Sequence, residues 1–252
     1  MKTYKRVPAL DKCFLILDLL AKNQKTMGIS EIARDLKLNK SSVFNIVHTL
    51  ADLHVLEEDR ENRFGLGTIL FTLGRAERKS SDLIRLVRPI LEDINHKTRL
   101  SAFLGIRSGM RAVILDKVDS AFDIRMSSEV GMRLPLLAGA GGKALLSQLS
   151  DEEIGKIIKD NGLKRFTPHT CTHKGNFRKM IRQVRKQGIA FDREEYIEGI
   201  CAFAIPLRVA TRNLQAAIWA VGLKGQFKED LIGPYFEYLR KATRNVEEHL
   251  VD

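Results

Sequence analysis

Two short helical repeats, parted by a tight turn and followed at once by a strand–turn–strand pattern, constrain this chain more than any other feature. Ile32, Ala33 and Leu36 recur at helical spacing, and Ser30 is placed to cap their helix. The turn Lys37-Leu38-Asn39 follows. Asn39 can cap a second helix with Val43, Ile46, Val47 and Leu50 on its inner face. Val55–Glu58, a polar turn over Asp59–Asn62, and Arg63–Gly67 then read as a hairpin. Upstream, Leu10, Cys13, Phe14, Leu17 and Ala21 form one apolar stripe of a further helix. Leu15, Ile16 and Leu19 lie off that stripe, so this helix is either deeply buried or meets a second copy of itself. Three helices closed by a hairpin make the winged helix-turn-helix arrangement.

Such a motif packs one face of its second helix inward and presents small polar side chains to the major groove. With Val43, Ile46, Val47 and Leu50 inward, helical geometry turns Ser41, Asn45 and His48 outward, with Ser42 alongside. Serine and asparagine hydrogen-bond base edges, and asparagine does so bidentately to adenine. Lys40, at the helix N-terminus, can meet a phosphate, and Arg60 and Arg63 suit a wing that touches the DNA backbone or minor groove. The plain alternative is a trihelical bundle with a solvated polar face. The hairpin directly after the third helix favours DNA.

From Thr68 to Ser81 the chain reads as a charged linker helix, with Gly74-Arg75-Ala76-Glu77-Arg78-Lys79 at its centre. A helix with Leu83, Leu86, Val87, Ile90, Leu91 and Ile94 in phase follows, and Pro89 inside it predicts a kink or a fresh start. Beyond Arg99 the texture changes. Ser101–Ile106 and Ala112–Val118 read as strands joined at Ser108-Gly109. Ser150-Asp-Glu-Glu153 is a capping box opening a helix to Asn161, and Phe177, Met180, Ile181 and Val184 mark another, ended by Gly188. Strand-like stretches run over Ile189–Asp192, Ile200–Arg208 and Leu214–Leu223. A final helix carries Leu231, Tyr235, Leu239, Thr243, Val246 and Leu250. The order of elements predicts an α+β fold: residues 1–67 as a winged helix-turn-helix, 68–81 as linker, and 82–252 around an antiparallel sheet.

Composition narrows the function classes. Lys plus Arg total 42 against 31 Asp plus Glu, so the formal net charge is +11, which suits a polyanion such as double-stranded DNA. No apolar run approaches the ~20 residues of a bilayer span, and Asp11, Lys12 and Asp18 interrupt the N-terminal apolar stretch, so no membrane partner and a cytoplasmic location are expected. Cys13, Cys171 and Cys201 lack the spacing of a disulfide framework or zinc site. His169-Thr-Cys-Thr-His173 alternates three potential metal ligands, but it sits in a polar connection without a fourth ligand, so no metal is expected. Gly139-Ala140-Gly141-Gly142-Lys143 lacks the hydroxyl of a phosphate-binding loop, and no cofactor is indicated. Asp192, Glu194, Glu195 and Glu198 cluster without a nucleophile or metal. The rival reading, a small-molecule-processing enzyme with an accessory helical domain, therefore has no catalytic constellation behind it.

Ile29–Leu50 with Arg63–Gly67 resembles the DNA-binding domain of the IclR family of bacterial transcriptional regulators. Gly131–Leu146 resembles the family's Gly…Leu-Pro…Gly-Lys-Ala segment, and Gly188–Pro206 its Gly…Asp-x-Glu-Glu…Gly…Ala…Pro segment. The resemblance implies a GAF-like effector domain, dimers through the N-terminal half and often tetramers. It implies a repressor or activator whose operator binding answers to a small metabolite. Its pocket walls correspond to Leu134, Leu137, Gly139, Gly141, Gly142, Asp192, Ile200, Ala202, Trp219 and Val221. The family commonly has arginine at Asn45 and often histidine at Leu137. Members that bind small carboxylates have serines at Trp219 and Val221 and an acid at Asp192. Here the acid is kept and both hydroxyls are apolar, which points to an organic or aromatic acid, or to Trp219 simply filling the pocket. A ligand carboxylate is expected against backbone amides of a glycine-rich loop over Leu134–Gly142, with Asp192 accepting hydrogen bonds.

Overall fold

The computed structural model describes residues 5–76, 78–126, 128–209, 214–227 and 229–249. The chain divides into two compact units, Met1–Arg78 and Lys79–Asp252.

The first unit carries α1 (Pro8–Asn23), β1 (Met27–Gly28), α2 (Ile29–Leu36), α3 (Lys40–Asp52), β2 (Leu56–Glu58), β3 (Arg63–Leu66) and α4 (Thr68–Ala76). Its core gathers Ile16 and Leu20 of α1, Ile32 of α2, Val43 and Val47 of α3, and Leu56 and Phe64 of the hairpin. The apolar stripe expected on α1 is rotated: Cys13, Ile16, Leu17 and Leu20 pack inward, whereas Leu10 and Phe14 are 58% and 67% exposed and Ala21 faces solvent. From Cys13 to Ala21 only Asp18 of α1 is polar, so spacing admits more than one inner face and contact with α2, α3 and β3 selects it. Ser30 does not cap α2. Gly28 holds that position, and the Glu31 carboxylate reaches back to accept its N–H at 2.9 Å. Asn39 does cap α3, accepting from the Ser41 N–H at 3.1 Å. The short β1, absent from the sequence reading, pairs with β3 to widen the hairpin into a three-stranded sheet, order β1-β3-β2.

The second unit holds α5 (Arg78–Thr98), β4 (Ser101–Ser108), β5 (Arg111–Val118), β6 (Arg133–Pro135), α6 (Gly139–Leu146), α7 (Asp151–Asn161), α8 (Lys174–Gln187), β7 (Ala190–Arg193), β8 (Ile200–Val209), β9 (Leu214–Leu223) and α9 (Glu229–His249). The strands form one antiparallel sheet in the order β6-β5-β4-β9-β8-β7. Helices cover both faces, so the central strands are apolar on both. Phe203, Ile205 and Leu207 of β8 and Ala216, Ile218 and Ala220 of β9 pack with Leu83, Val87, Leu91 and Ile94 of α5 and Leu239 and Val246 of α9. The alternate residues Ala202, Ala204, Ala217 and Trp219 meet α6, α7 and α8 through Ala144, Ile158, Phe177 and Ile181.

Helix α5 starts at Arg78, before the expected break at 82, and contains Pro89 without a new start; the lost N–H and the crowding of the preceding turn are offset by the buried stripe of Leu83, Val87, Ile90, Leu91 and Ile94. Glu77 of the expected linker and Leu250 of the final helix lie outside the described residues, as do the side chains of Leu231 and Tyr235. The Ser150 capping box and the Gly188 terminus are formed as expected, Gly188 adopting φ +78°. No helix among the described residues is long and apolar enough to cross a membrane.

Candidate nucleic-acid interface and ligand cavity

Helix α3 exposes Lys40, Ser41, Phe44 and Asn45, with Ser42 half-buried. The Ser41 hydroxyl donates to Asn39 Oδ1 at 3.0 Å, which orients it on the first turn. His48 departs from its expected outward position. Its ring stands edge-on to Phe64, at 5.3 Å between centroids, and against Phe44, at 4.3 Å. An imidazole beside the core aromatic ring gains contact that open solvent does not offer.

The wing also departs from expectation. Arg63 turns inward, its Nη2 donating to the Thr26 carbonyl and to Glu31 Oε2, both at 2.9 Å. The Gly28 amide, and then Arg63, hold the Glu31 carboxyl below its ordinary range. Arg63 thus ties β3 to the start of α2 rather than reaching away from the domain. Arg60 is exposed at the turn, but Glu57, Glu58, Asp59 and Glu61 are exposed around it. The wing is therefore net acidic, and Arg60 is its exposed cation.

In the second unit a cavity of about 70 Å³ lies between the sheet and the start of α6. The strands line it with the small side chains Ala112 and Ala202 and with the Trp219 indole, 3% exposed, whose ring lies against Gly105 of β4 and Gly141 of α6. A Cβ at Gly105 would collide with that ring, so only glycine lets it lie against β4. Leu134, Gly139, Gly141, Gly142, Asp192, Ile200, Ala202, Trp219 and Val221 all line the cavity; Leu137 does not. The expected glycine-rich loop is a short strand, β6, followed by a helix that starts at Gly139. Glycine is required at 142, where a Cβ would strike the Leu136 carbonyl. Glycine's low helix propensity disfavours a helix here, and packing on the sheet overrides it.

Asp192 is 5% exposed, and its Oδ1 accepts the Glu195 N–H at 2.7 Å. Burial pushes its carboxyl up to about 6, against the lowering effect of that amide. Beside it is a network the sequence did not reveal. Lys143, 2% exposed, donates to both carboxylate oxygens of Glu195 at 2.6 and 2.7 Å. The Thr167 and Thr170 hydroxyls donate to the Glu194 and Glu195 carbonyls, each at 2.6 Å. These contacts pin the segment whose Tyr196 and Ile197 close one side of the cavity. A Gly-Lys pair on a helix and an acid 52 positions later carry no spacing signal that links them.

Of the possible metal ligands, His173 caps α8, its Nδ1 accepting the Asn176 N–H at 3.2 Å, while His169 is exposed. Among the described residues no group of three or more His, Cys, Asp or Glu is placed to hold a metal ion.

Residues 76–248 match the bacterial transcriptional regulator IclR C-terminal domain, and residues 9–60 the IclR helix-turn-helix domain. The chain is 30% identical to the HTH-type transcriptional regulator KdgR of Dickeya chrysanthemi over 97% of its own length and 80% of that protein. It is 28% identical to the HTH-type transcriptional repressor AllR of Escherichia coli K12 over 96% and 90% of the two chains. In fold it is similar to an IclR homolog from Microbacterium hydrocarbonoxydans solved with 4-hydroxybenzoate, at TM-score 0.80 and 21% identity, covering 96% of this chain and 98% of that one. With a helix-turn-helix in its first unit and a helix-covered sheet enclosing a cavity in its second, the chain belongs to the IclR family of bacterial transcriptional regulators.

Proposed function

We infer that this regulator reads an operator through α3 and that a small organic acid, bound in the second unit, tunes that reading. The observation that carries the DNA half is the exposed row Lys40, Ser41 and Asn45 on a capped helix. Asn45 is the base reader, Ser41 and Ser42 assist, and Lys40 contacts a phosphate. Of the wing, Arg60 alone contributes attraction.

For the effector, the first turn of α6 lines the cavity at Gly139, Gly141 and Gly142. The first amides of a helix have no partner within it, which favours an anion there. Asp192, already accepting a backbone amide, is suited to a ligand hydroxyl and repels a second carboxylate while ionised. Aromatic acids are the class that the Microbacterium structure contains, and the largely apolar walls suit that class. About 70 Å³ is well below the ~300–1,000 Å³ of ordinary ligand sites, so binding displaces the Trp219 ring or opens the Tyr196–Ile197 side. The protein acts in the cytoplasm as a homodimer or larger assembly and has no enzymatic role.

Selection of bound duplexes from a random library by the full chain tests the first half. Asn45→Ala is expected to weaken the selected site by ~1–3 kcal/mol while sparing random DNA. Lys40→Ala weakens both and lowers the salt slope by about one. Equal losses on both DNAs in the Asn45 variant would refute base reading. Trp219 is the sole tryptophan, so its emission reports the second half. An aromatic acid that shifts operator affinity must change that emission over the same concentration range, and silence at Trp219 would remove the pocket assignment.

A further inference from the structure

Phe44 lies on α3 between Val43 of the core and Asn45 of the exposed row, and 52% of it is open to solvent. A helix that buries Val43, Val47 and Leu50 has no folding need for phenylalanine there. Its ring is held rather than loose. Phe44 packs against His48 one turn on, at 4.3 Å and 61°, and His48 stands edge-on to Phe64, which is fully buried. This chain of rings roots an exposed apolar surface in the domain core and lowers the rotamer entropy lost on contact.

Resting on the reading of α3 as the recognition helix, we propose that Phe44 contacts the C5-methyl of a thymine in the operator, next to the adenine read by Asn45. Thymine is the only ordinary base that shows an apolar group in the major groove, and an apolar side chain is its natural reader. The surroundings agree with DNA as the occupant. Lys40 precedes it on the same helix, Lys37 is exposed at the turn before, and no acid occurs between Asn39 and Leu50. Asn45 beside Phe44 gives α3 one reader for adenine and one for thymine, which specifies an A·T-containing half-site.

The test uses the full-length protein and the duplex it selects from a random library. Each thymine of that site is replaced in turn by deoxyuridine, which removes the methyl and keeps every hydrogen-bonding edge. One thymine per half-site is expected to lose about fourfold in affinity, the worth of one buried methyl-sized group. In Phe44→Ala the same replacement is expected to have no effect, while thermal unfolding matches the parent. If no duplex is enriched, the DNA-reading function itself fails and this inference falls with it. If a duplex is enriched but deoxyuridine is neutral throughout, or Phe44→Ala stays equally sensitive to it, the function stands and the thymine contact is wrong. A Phe44→Ala chain whose sedimentation shows a smaller assembly than the parent would assign the ring to a second copy instead.

Discussion

Asp192 shows how one side chain can be legible in type and not in state. Its place in the Gly…Asp-x-Glu-Glu segment identified it as a pocket residue, but the shift of its carboxyl comes from its burial in the fold. In the unfolded chain this group titrates near 3.8, and in the fold near 6. The folded state therefore binds the proton more tightly, and the stability this confers is complete below pH 3.8 and lost as pH rises through about 6. Asp192→Asn removes the titration while keeping an oxygen for the Glu195 N–H. The variant is expected to gain in melting temperature relative to the parent between pH 4 and pH 7. A difference that does not change with pH would show that Asp192 is not desolvated. Arg63 teaches the converse lesson: its residue type suited a DNA contact, and the fold had already engaged it with Thr26 and Glu31.

Among elements, α7 and α8 were readable because capping boxes and glycine termini act over three or four positions. Helix α6 was not, since three of its first four residues are glycine and its stability comes from the sheet beneath. It is also tied to a distant segment by the Lys143–Glu195 ion pair, both partners nearly out of water. Lys143→Met is expected to cost about 3 kcal/mol in denaturant unfolding, because Glu195 is left without its cation. Replacing both partners by apolar residues should recover much of that loss. A single variant as stable as the parent would mean the pair contributes nothing to holding the segment over the cavity.

At the scale of the molecule, the first unit leaves apolar side chains in solvent that its own core does not use. Leu10 and Phe14 of α1 and Leu73 of α4 are each more than half exposed. The sequence reading placed Leu15, Ile16 and Leu19 at a contact between copies. Ile16 is fully buried in the unit's own core, so the self-contact we infer uses Leu10, Phe14 and Leu15 instead. Sedimentation of the parent is expected to give a dimer or larger, and Phe14→Glu a smaller species whose operator affinity falls at least tenfold as half-sites are bound singly. A Phe14→Glu chain that keeps both assembly and affinity would place the contact elsewhere.

The sequence by itself determined most of the elements and their order: three helices and a hairpin at one end, an antiparallel sheet and most of its covering helices at the other, and the continuous apolar runs of β8 and β9. Those follow from periodicity, caps and turns, all local. Tertiary structure alone decided which face of α1 is buried, that Arg63 and His48 turn toward the core, that Lys143 finds Glu195, and that the Trp219 ring lies where Gly105 and Gly141 leave room for it. Each of these depends on residues brought together from distant positions, where the energy lies in desolvation and close packing. No pattern of spacing along the chain encodes such contacts.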